Sequence, residues 1–371
     1  MTATDLILQK IHEEGPIPFS DFMQLALYHP EFGYYNKRGR KIGAGGDYYT
    51  SACVTPLFGE MIACQLKEMW QLLDSSDFTI VEMGAGTGLL SHDIISSLEN
   101  DPSLPGTYEY IIVEQSPCLR EKAHEVVPPN VKWYDQLSDL GPVNGCIISN
   151  ELVDNFAVHQ VVMADELMEV YVDYDKEFRE ILQPASLQLK EYFAELDIQL
   201  PQGFRTEVNL QAIEWIKDLS SILQKGFILT VDYGELSEEL YSLKRSHGTL
   251  LCYKHHEVQA CPYIHIGEQD ITAQVNFSAL YHWGAKYGLR PCGYTSQSRF
   301  LSALGLAEHA RRRGESLTDN HLAVSFLQEM GQKIKVLAQE KGMKGSFLRG
   351  FIFSLPVSLL REFASCGLEG R

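Results

Sequence analysis

A run of glycines beside an acidic residue is the part of the sequence with the most specific chemistry. Glu82-Met83-Gly84-Ala85-Gly86-Thr87-Gly88 stands where a short apolar run gives way to a helical pattern. Glycine lets the chain turn sharply there and lets a ligand approach the backbone, because no Cβ is in the way. The Glu82 carboxylate would repel a pyrophosphate and attract an ammonium or sulfonium group. S-adenosyl-L-methionine carries both cations, so we expect Glu82, Gly84, Gly86 and Gly88 to bind this cofactor.

Further cofactor contacts are expected after the glycine run and in an earlier loop. Glu114 ends the second apolar run, and an acid at this strand end commonly accepts hydrogen bonds from the two ribose hydroxyls. Asp135 is predicted to contact the adenine edge, with a solvated loop position as an equal alternative. Tyr48 and Thr50 lie in a Gly- and Tyr-rich loop, residues 33–50. Loops of this length are often functional, and this one is expected to act as a lid over the cofactor.

Alternating strands and helices must position these residues. Short apolar runs separated by helical patterns predict βαβ units and a parallel sheet with helices on both faces. The predicted strands are residues 78–82, 110–114, 146–149 and 226–232. Segments near Gly293 and at residues 347–353 are expected to complete the sheet.

The pattern along the chain predicts one α/β fold with additions. Residues 1–75 are expected to form an N-terminal helical and lid region, and residues 76–157 the first half of the cofactor-binding core. Residues 158–224 read as an inserted α+β cap, in which residues 158–162 and 169–174 resemble the strands of a hairpin. Residues 225–371 would then complete the core and add C-terminal helices.

Several longer segments resemble the MidA-type S-adenosylmethionine-dependent methyltransferases, which are related to the mitochondrial complex I assembly factor that methylates arginine on a protein subunit. The most specific segments are Ser149-Asn150-Glu151-Leu152-Val153-Asp154-Asn155 and Gln269-Asp270-Ile271-Thr272-Ala273. The resemblance implies a class I methyltransferase fold, Rossmann-like and mostly parallel, with a large inserted region. It also implies S-adenosyl-L-methionine as the cofactor and a protein substrate that presents an arginine, such as a complex I subunit. Gln274 stands where the family usually has His or a similar residue, which is expected to alter one contact without abolishing methyl transfer.

The resemblance and the placement of the acids together predict where a guanidinium would bind. Asn150, Glu151 and Asp154 follow a predicted strand, and the carboxyl ends of strands face the ligand crevice in an open α/β sheet. Carboxylates pair with the planar, cationic guanidinium in a bidentate way. We expect Glu151 to be the main partner, with Asp154 or Asp270 as the second carboxylate. The alternatives are a helix N-terminal pair for Glu151 and Asp154 and a cap on a helix at residues 273–287 for Asp270.

Two other clusters are weaker candidates. A group of thiol and imidazole side chains contains Cys252, His255, His256, Cys261 and His265. Its spacing does not follow a zinc pattern, so buried or hydrogen-bonded histidines are expected and no metal. Arg38, Arg40 and Lys41 form a basic group in the lid, which we interpret as a solvated loop tip because the whole chain is acidic.

Charge and composition limit the partners and the compartment. The 371 residues carry 31 Lys+Arg against 49 Asp+Glu, a formal net charge of −18. This balance argues against general binding to nucleic acid or anionic membrane, because each phosphate contact needs a cation. Residues 1–13 lack the features of a secretory signal, and no apolar run is long enough to insert into a membrane. The eight cysteines are scattered, which is typical of reduced thiols, so a cytoplasmic protein is predicted. The oligomeric state stays open.

The leading hypothesis is therefore a protein arginine methyltransferase that acts on a complex I subunit or a related oxidoreductase. A small-molecule O- or N-methyltransferase is the second enzyme hypothesis, because a fold does not fix its substrate. A third hypothesis is a non-catalytic assembly chaperone that binds S-adenosyl-L-methionine and a subunit without transferring a methyl group.

Overall fold

The computed structural model describes residues 1–37, 39, 41, 43, 46–47, 50–74, 77–259, 261–312, 324–325 and 327–354. The helices are α1 (Ala3–Glu14), α2 (Phe19–Tyr28), α3 (Ser51–Val54), α4 (Leu57–Leu73), α5 (Leu89–Glu99), α6 (Pro117–His124), α7 (Leu187–Glu195), α8 (Leu210–Ile222), α9 (Ser237–Leu240), α10 (Phe277–Lys286), α11 (Gln297–Leu304) and α12 (Leu306–Arg312). Across these described ranges, none of the helices is long and apolar enough to cross a membrane.

The strands fall into three sheets. They are β1 (Ile17–Pro18), β2 (Asp77–Met83), β3 (Thr107–Val113), β4 (Lys132–Tyr134), β5 (Val143–Asn150), β6 (His159–Met163), β7 (Leu167–Asp175), β8 (Glu177–Pro184), β9 (Arg205–Val208), β10 (Leu223–Glu235), β11 (Leu251–Lys254), β12 (Glu257–Gln259), β13 (Asp270–Thr272), β14 (Val275–Asn276), β15 (Arg290–Ser296) and β16 (Ile334–Lys341). Short 3-10 turns follow some of them, including Val153–Asn155 after β5.

An eight-stranded sheet forms the centre of the described structure. Its strands follow the order β15-β16-β10-β5-β2-β3-β4, and β14 pairs with the end of β10. The pairs among β10, β5, β2, β3 and β4 are parallel, whereas β16 is antiparallel to both of its neighbours. The mostly parallel sheet is thus confirmed, and the four strands predicted from apolar runs correspond to β2, β3, β5 and β10.

Alternate residues of the central strands pack into two hydrophobic cores. Ile80 of β2 and Ile148 of β5 belong to a core that includes residues of α4, α5 and α11. Val81 and Ile147 belong to a second core with residues of α7, α8 and α10. Because successive side chains of a strand point to opposite faces, the sheet is covered on both sides. This explains why its strands read as continuous apolar runs.

Glycine lets three central strands approach closely. Gly145 of β5 is paired with Thr79 of β2 and with Gly226 of β10. Its φ angle is +153°, and a Cβ there would lie 1.9 Å from the carbonyl oxygen of Thr79. A side chain at this position therefore conflicts both with the backbone conformation and with the neighbouring strand.

Gly145→Ala is expected to lower the free energy of unfolding by about 2–4 kcal/mol, because the strand must shift to make room. Gly141→Ala is the matched control, since a Cβ at Gly141 would meet nothing within 4 Å. Denaturant midpoints of the two variants test the prediction. A Gly145→Ala midpoint equal to that of Gly141→Ala would contradict it.

The N-terminal region and the insertion share a second sheet. β6 pairs antiparallel with β7, which confirms the predicted hairpin. β9 pairs with β6, whereas β8 and the N-terminal strand β1 both pair with β7. This pairing fixes α1 and α2 beside the insertion. The division of the chain at residues 75, 157 and 224 stays a prediction.

Two sequence expectations about the C-terminal third are wrong. Residues 347–353 do not form a strand, whereas the predicted segment near Gly293 does join the central sheet as β15, paired with β16. Phe351 lies in a 3-10 turn and packs its ring 5.3 Å from that of Phe300, so its burial comes from a helix contact. The helix expected at residues 273–287 begins at Phe277, and Asn276 caps it by accepting a hydrogen bond from the Ala279 amide. Asp270 therefore is not that cap.

Candidate active site

The glycine run forms the turn between β2 and α5. Gly84, Gly86 and Gly88 have φ angles of +72°, +57° and +78°, which favour glycine over other residues. At Gly84, a Cβ would also lie 2.8 Å from the Leu152 side chain. Gly88 is the residue before α5 and packs against α6. Gly84 and Gly86 both line a cavity, so a ligand can approach the backbone of this turn.

Glu114 lies against the glycine run at the end of β3. Its Oε2 accepts a hydrogen bond from the Gly86 amide at 3.2 Å, and its Oε1 accepts one from the Ser116 amide at 2.9 Å. Burial raises the pKa of this carboxyl, and those amides oppose the shift. A carboxylate has about four lone-pair positions, so each oxygen can still accept from a hydroxyl of a ligand.

Glu82 lines the same site but is oriented differently from what its sequence position suggested. Its Oε2 accepts hydrogen bonds from Ser91 Oγ at 2.5 Å and Tyr110 Oη at 2.6 Å. Glu82 follows Ile80 by two positions, so its side chain enters the face of the sheet that packs on α5. Burial raises its pKa to about 7. The two hydroxyls, rather than a ligand cation, are the partners that the structure gives this carboxyl.

A cavity of about 670 Å³ lies at the carboxyl ends of β2, β3 and β5. It brings together most of the residues predicted for the site: Thr50, Glu82, Gly84, Gly86, Glu114, Asn150 and Glu151. Among the described residues, every charged side chain that lines it is a carboxylate: Glu82, Glu114, Glu151, Glu214 and Asp218. Such a cavity favours a cationic ligand.

Glu151 also lines this cavity. Its backbone lies in the left-handed region, with a φ angle of +51°. Its Oε1 accepts hydrogen bonds from the Ser51 amide at 3.0 Å and from Asn150 Nδ2 at 3.4 Å. Both of these hydrogen bonds go to Oε1, which leaves Oε2, and the buried Oδ1 of Asn150 has no partner among the described residues. Burial raises the pKa of Glu151 to about 8. Two acceptor atoms are therefore left for a donor in the cavity.

Asp154 and Asp270 are buried behind the cavity and do not line it. Asp270 Oδ1 accepts a hydrogen bond from Tyr35 Oη at 2.7 Å, and it is the tyrosine that lines the cavity. Asp154 shares a hydrogen bond with Asp232, and burial raises its pKa well above the ordinary value. Burial also raises the pKa of Asp270 to about 7. The structure thus brings Glu151 to the cavity wall but neither candidate for the second carboxylate.

The three remaining residues predicted to contact the cofactor, Asp135, Tyr48 and Thr50, have different outcomes. Asp135 forms an ion pair with Arg120 and leaves 80% of its side chain exposed, and the adjacent Gln136 lines the cavity instead. The solvated alternative for Asp135 is therefore the better description. Tyr48 lies outside the described residues. Thr50 lines the cavity.

The described residues of the basic group and of the thiol–imidazole cluster lie outside the cavity. Lys41 is buried and donates to the Tyr35 carbonyl at 2.9 Å, so the interpretation as a solvated tip is wrong for this residue. Arg38 and Arg40 lie outside the described residues. His255 lies in the turn between β11 and β12 with its imidazole exposed, so the expected burial is wrong for this residue, and its backbone amide donates a hydrogen bond to Asp47 at 2.7 Å. The described residues contain no group of His, Cys, Asp and Glu arranged to hold a metal ion.

A family model described as "Putative S-adenosyl-L-methionine-dependent methyltransferase" matches residues 61–295. The chain belongs to this family. It is similar to a structure from Burkholderia thailandensis bound to S-adenosyl-homocysteine, with a TM-score of 0.87, 30% identity and 96% of each chain covered.

Curated relatives cover most of the chain as well. The protein arginine methyltransferase NDUFAF7 homolog of Drosophila melanogaster is 24% identical over 91% of this chain and 85% of its own length. The human protein arginine methyltransferase NDUFAF7 is 26% identical over 92% of this chain and 81% of its own length. Both are named as mitochondrial proteins, so the prediction of a cytoplasmic protein is contradicted. Scattered reduced cysteines distinguish reducing from oxidising compartments but do not separate one reducing compartment from another.

Family membership identifies the protein as an S-adenosyl-L-methionine-dependent methyltransferase with the class I fold. The residues of the cavity fit this cofactor. Gly84 and Gly86 line the cavity, where a ligand can approach their backbone, and Glu114 keeps lone pairs for two hydroxyls. The cavity is also of the size that small-molecule ligands need.

Sequence reasoning missed several residues of the methyltransferase site. Tyr28 and Tyr35 stack at 5.4 Å between ring centroids and both line the cavity. Trp215 and Asp218 of α8 line it from the insertion. The Gly33-Tyr34-Tyr35 segment was a visible signal for Tyr35, whereas the helical pattern of α8 does not distinguish the cavity side from the core side.

The buried carboxyls predict how stability depends on pH. Burial raises the pKa values of Glu82, Glu151 and Asp270 in the folded protein, so the folded state holds these protons more tightly than the unfolded chain. Between about pH 5 and about pH 8 the thermal midpoint of the ligand-free protein is therefore expected to fall as pH rises. Thermal melts across this window test the sign, and the slope should be shallower for Glu151→Gln. A midpoint that rises through the window would contradict the assignment.

Proposed function

We propose that this methyltransferase transfers a methyl group from S-adenosyl-L-methionine to an arginine side chain of a protein. The observation that carries the proposal is the cavity. Glu151 lines it together with Gly84 and Gly86 of the glycine turn, and all of its charged lining residues, among those described, are carboxylates. The names of the relatives, protein arginine methyltransferases, support the same substrate class. A complex I subunit as the physiological partner stays a prediction from the resemblance.

Two unused acceptors define where the guanidinium would bind. Asn150 and Glu151 are consecutive residues at the end of β5. Glu151 accepts its hydrogen bonds through Oε1, which leaves Oε2, and the buried Oδ1 of Asn150 has no partner among the described residues. A guanidinium has five N–H donors in a planar fork and no acceptor, so it can satisfy both atoms at once. It also supplies the positive charge that favours ionised Glu151 over its protonated form.

The reaction needs little beyond positioning and a proton acceptor. S-adenosyl-L-methionine supplies the methyl group from its sulfonium, and holding the reactants in line contributes most of the acceleration. The attacking nitrogen loses one proton when the new N–C bond forms. The raised pKa of Glu151 supports this residue as the proton acceptor, because its ionised form is a stronger base than an ordinary glutamate.

Transfer of labelled methyl groups tests the proposed substrate class. The protein is incubated with methyl-labelled S-adenosyl-L-methionine and a cell extract, and the label is followed into protein and small molecules. The proposal predicts label in one or a few polypeptides. Label in small molecules alone would favour the small-molecule methyltransferase, and tight cofactor binding without transfer would favour the assembly chaperone.

A further inference from the structure

The backbone of Glu151 adopts a conformation that must be held in place. Its φ of +51° lies in the left-handed region, which is unfavourable for a residue with a long side chain. Such conformations persist only when the surrounding structure imposes them, and they cluster at functional sites. The residues that impose this one therefore control where the carboxyl group of Glu151 points.

Asp232 is the side chain that fixes this turn. Its Oδ2 accepts hydrogen bonds from the amides of Leu152 at 3.0 Å and Val153 at 2.8 Å, the two residues that follow Glu151. The Glu151 amide itself donates to the carbonyl of Val231 at 2.8 Å. Asp232 and Val231 are neighbours on β10, so one strand holds all three consecutive amides.

The burial of Asp232 shows that this arrangement is costly. The residue is fully buried, its Oδ1 accepts a hydrogen bond from the Tyr233 amide at 2.8 Å, and its carboxylate shares a further hydrogen bond with Asp154. A buried carboxylate is expensive unless hydrogen bonds compensate for its lost hydration. Two of the compensating donors are amides of the turn, so the carboxylate and the turn stabilise each other.

We infer that Asp232 is the positioning residue for Glu151: it holds the turn at residues 151–153 so that the Glu151 carboxyl group faces the cofactor side of the cavity. The inference rests on the proposed function of Glu151 as the guanidinium partner. Asp232 does not line the cavity, so it acts through Glu151 and does not contact the substrate.

Because Asp232 is charged, its role as the positioning residue predicts a change in the pH dependence of the rate that a purely structural role does not predict. Burial is the largest cause of the raised pKa of Glu151. The Ser51 amide lowers this pKa, and repulsion from the Asp232 carboxylate raises it. The other ionisable groups that face Glu151 are Asp154 and Tyr233. Removing the Asp232 charge should therefore lower the pKa of Glu151 and move the acidic limb of the pH–rate profile to lower pH.

The test compares Asp232→Asn and Asp232→Ser with Glu151→Gln and with a matched control. The control is Glu340→Gln on β16, a buried carboxylate that also accepts two backbone amides, from Gly345 at 3.1 Å and Ser346 at 2.9 Å. Each variant is assayed for labelled methylarginine formation in a cell extract at saturating S-adenosyl-L-methionine. Binding of S-adenosyl-homocysteine is measured by calorimetry.

We expect the Asp232 variants to transfer methyl groups about 10- to 100-fold more slowly, because small displacements of a positioning group are costly. Their affinity for S-adenosyl-homocysteine should stay within about twofold, and their acidic limb should shift to lower pH. Adding Asp232→Asn to Glu151→Gln should cause no further loss, because the two act as a unit.

Three outcomes would overturn the inference. They are an unchanged rate in the Asp232 variants, a slowed rate with an unshifted acidic limb, and loss of folding and ligand binding in both variants, which would assign Asp232 to the fold alone. Full activity of Glu151→Gln would instead refute the proposed role of Glu151, which separates the two failures. Equal loss in Glu340→Gln would show that any buried capping carboxylate has the same effect.

Discussion

Glu151→Gln is expected to slow methyl transfer by about 100- to 1,000-fold, because it removes the charge that pairs with the guanidinium and the base that accepts its proton. The amide keeps the size of the side chain and can still accept the Ser51 hydrogen bond. Binding of S-adenosyl-homocysteine should stay within about twofold of wild type, since Glu151 is assigned to the substrate and not to the cofactor.

The rate is measured as labelled methylarginine at saturating cofactor, with Glu214→Gln as the matched control. Glu214 lines the same cavity but is exposed and forms an ion pair with Lys217 at 2.8 Å. Exposed pairs contribute little, so this variant should keep most of the activity. Equal losses in the two variants would mean that the overall charge of the cavity matters rather than the position of Glu151.

Glu114→Gln is expected to weaken cofactor binding by about 10- to 100-fold, since hydrogen bonds to a charged group contribute about 1.5–3 kcal/mol. The carboxylate accepts the Gly86 and Ser116 amides and would also accept the ribose hydroxyls. The substitution places an NH2 group where one of these donors must approach, so the glycine turn is disturbed as well.

Calorimetric titration with S-adenosyl-homocysteine measures this loss directly. At cofactor concentrations high enough to saturate the variant, Glu114→Gln should regain a large part of its transfer rate. Glu151→Gln should not regain any. A loss of cofactor affinity that is the same in both variants would contradict the division between a cofactor carboxylate and a substrate carboxylate.

The part of the site that was predicted from sequence depends on short-range patterns. β2, the glycine turn and α5 follow one another along the chain, and so do β5 and the Asn150–Glu151 pair. Apolar runs, glycine spacing and acids at strand ends are local signals. They were sufficient to place Gly84, Glu114 and Glu151 around one cavity.

The parts that were not predicted depend on side-chain direction and on distant segments. Glu82 and Glu114 both end parallel strands, yet Glu82 turns to Ser91 and Tyr110 while Glu114 turns to the glycine turn. Asp270 belongs to a specific motif, but it accepts a hydrogen bond from Tyr35 of the N-terminal region, and Tyr35 rather than Asp270 lines the cavity. No local pattern reports such contacts between segments far apart in the chain.

The same limit explains the errors in the fold. β16 mixes lysines with apolar residues and reads poorly as a strand, although nearly all of its residues are buried between β10 and β15. Residues 347–353 are more apolar but turn at Arg349–Phe351. Burial by neighbouring strands, rather than apolar content, decided which segment joined the sheet.

The most direct test of the account is the chemical identity of the residue that receives the methyl group. Labelled protein from the transfer reaction is hydrolysed, and the labelled amino acid is identified by mass spectrometry for wild type and for Glu151→Gln. The account predicts methylated arginine from the wild-type enzyme and its near-complete loss in the variant. Label on lysine or on a carboxyl side chain, or the same yield of methylarginine from Glu151→Gln, would contradict it.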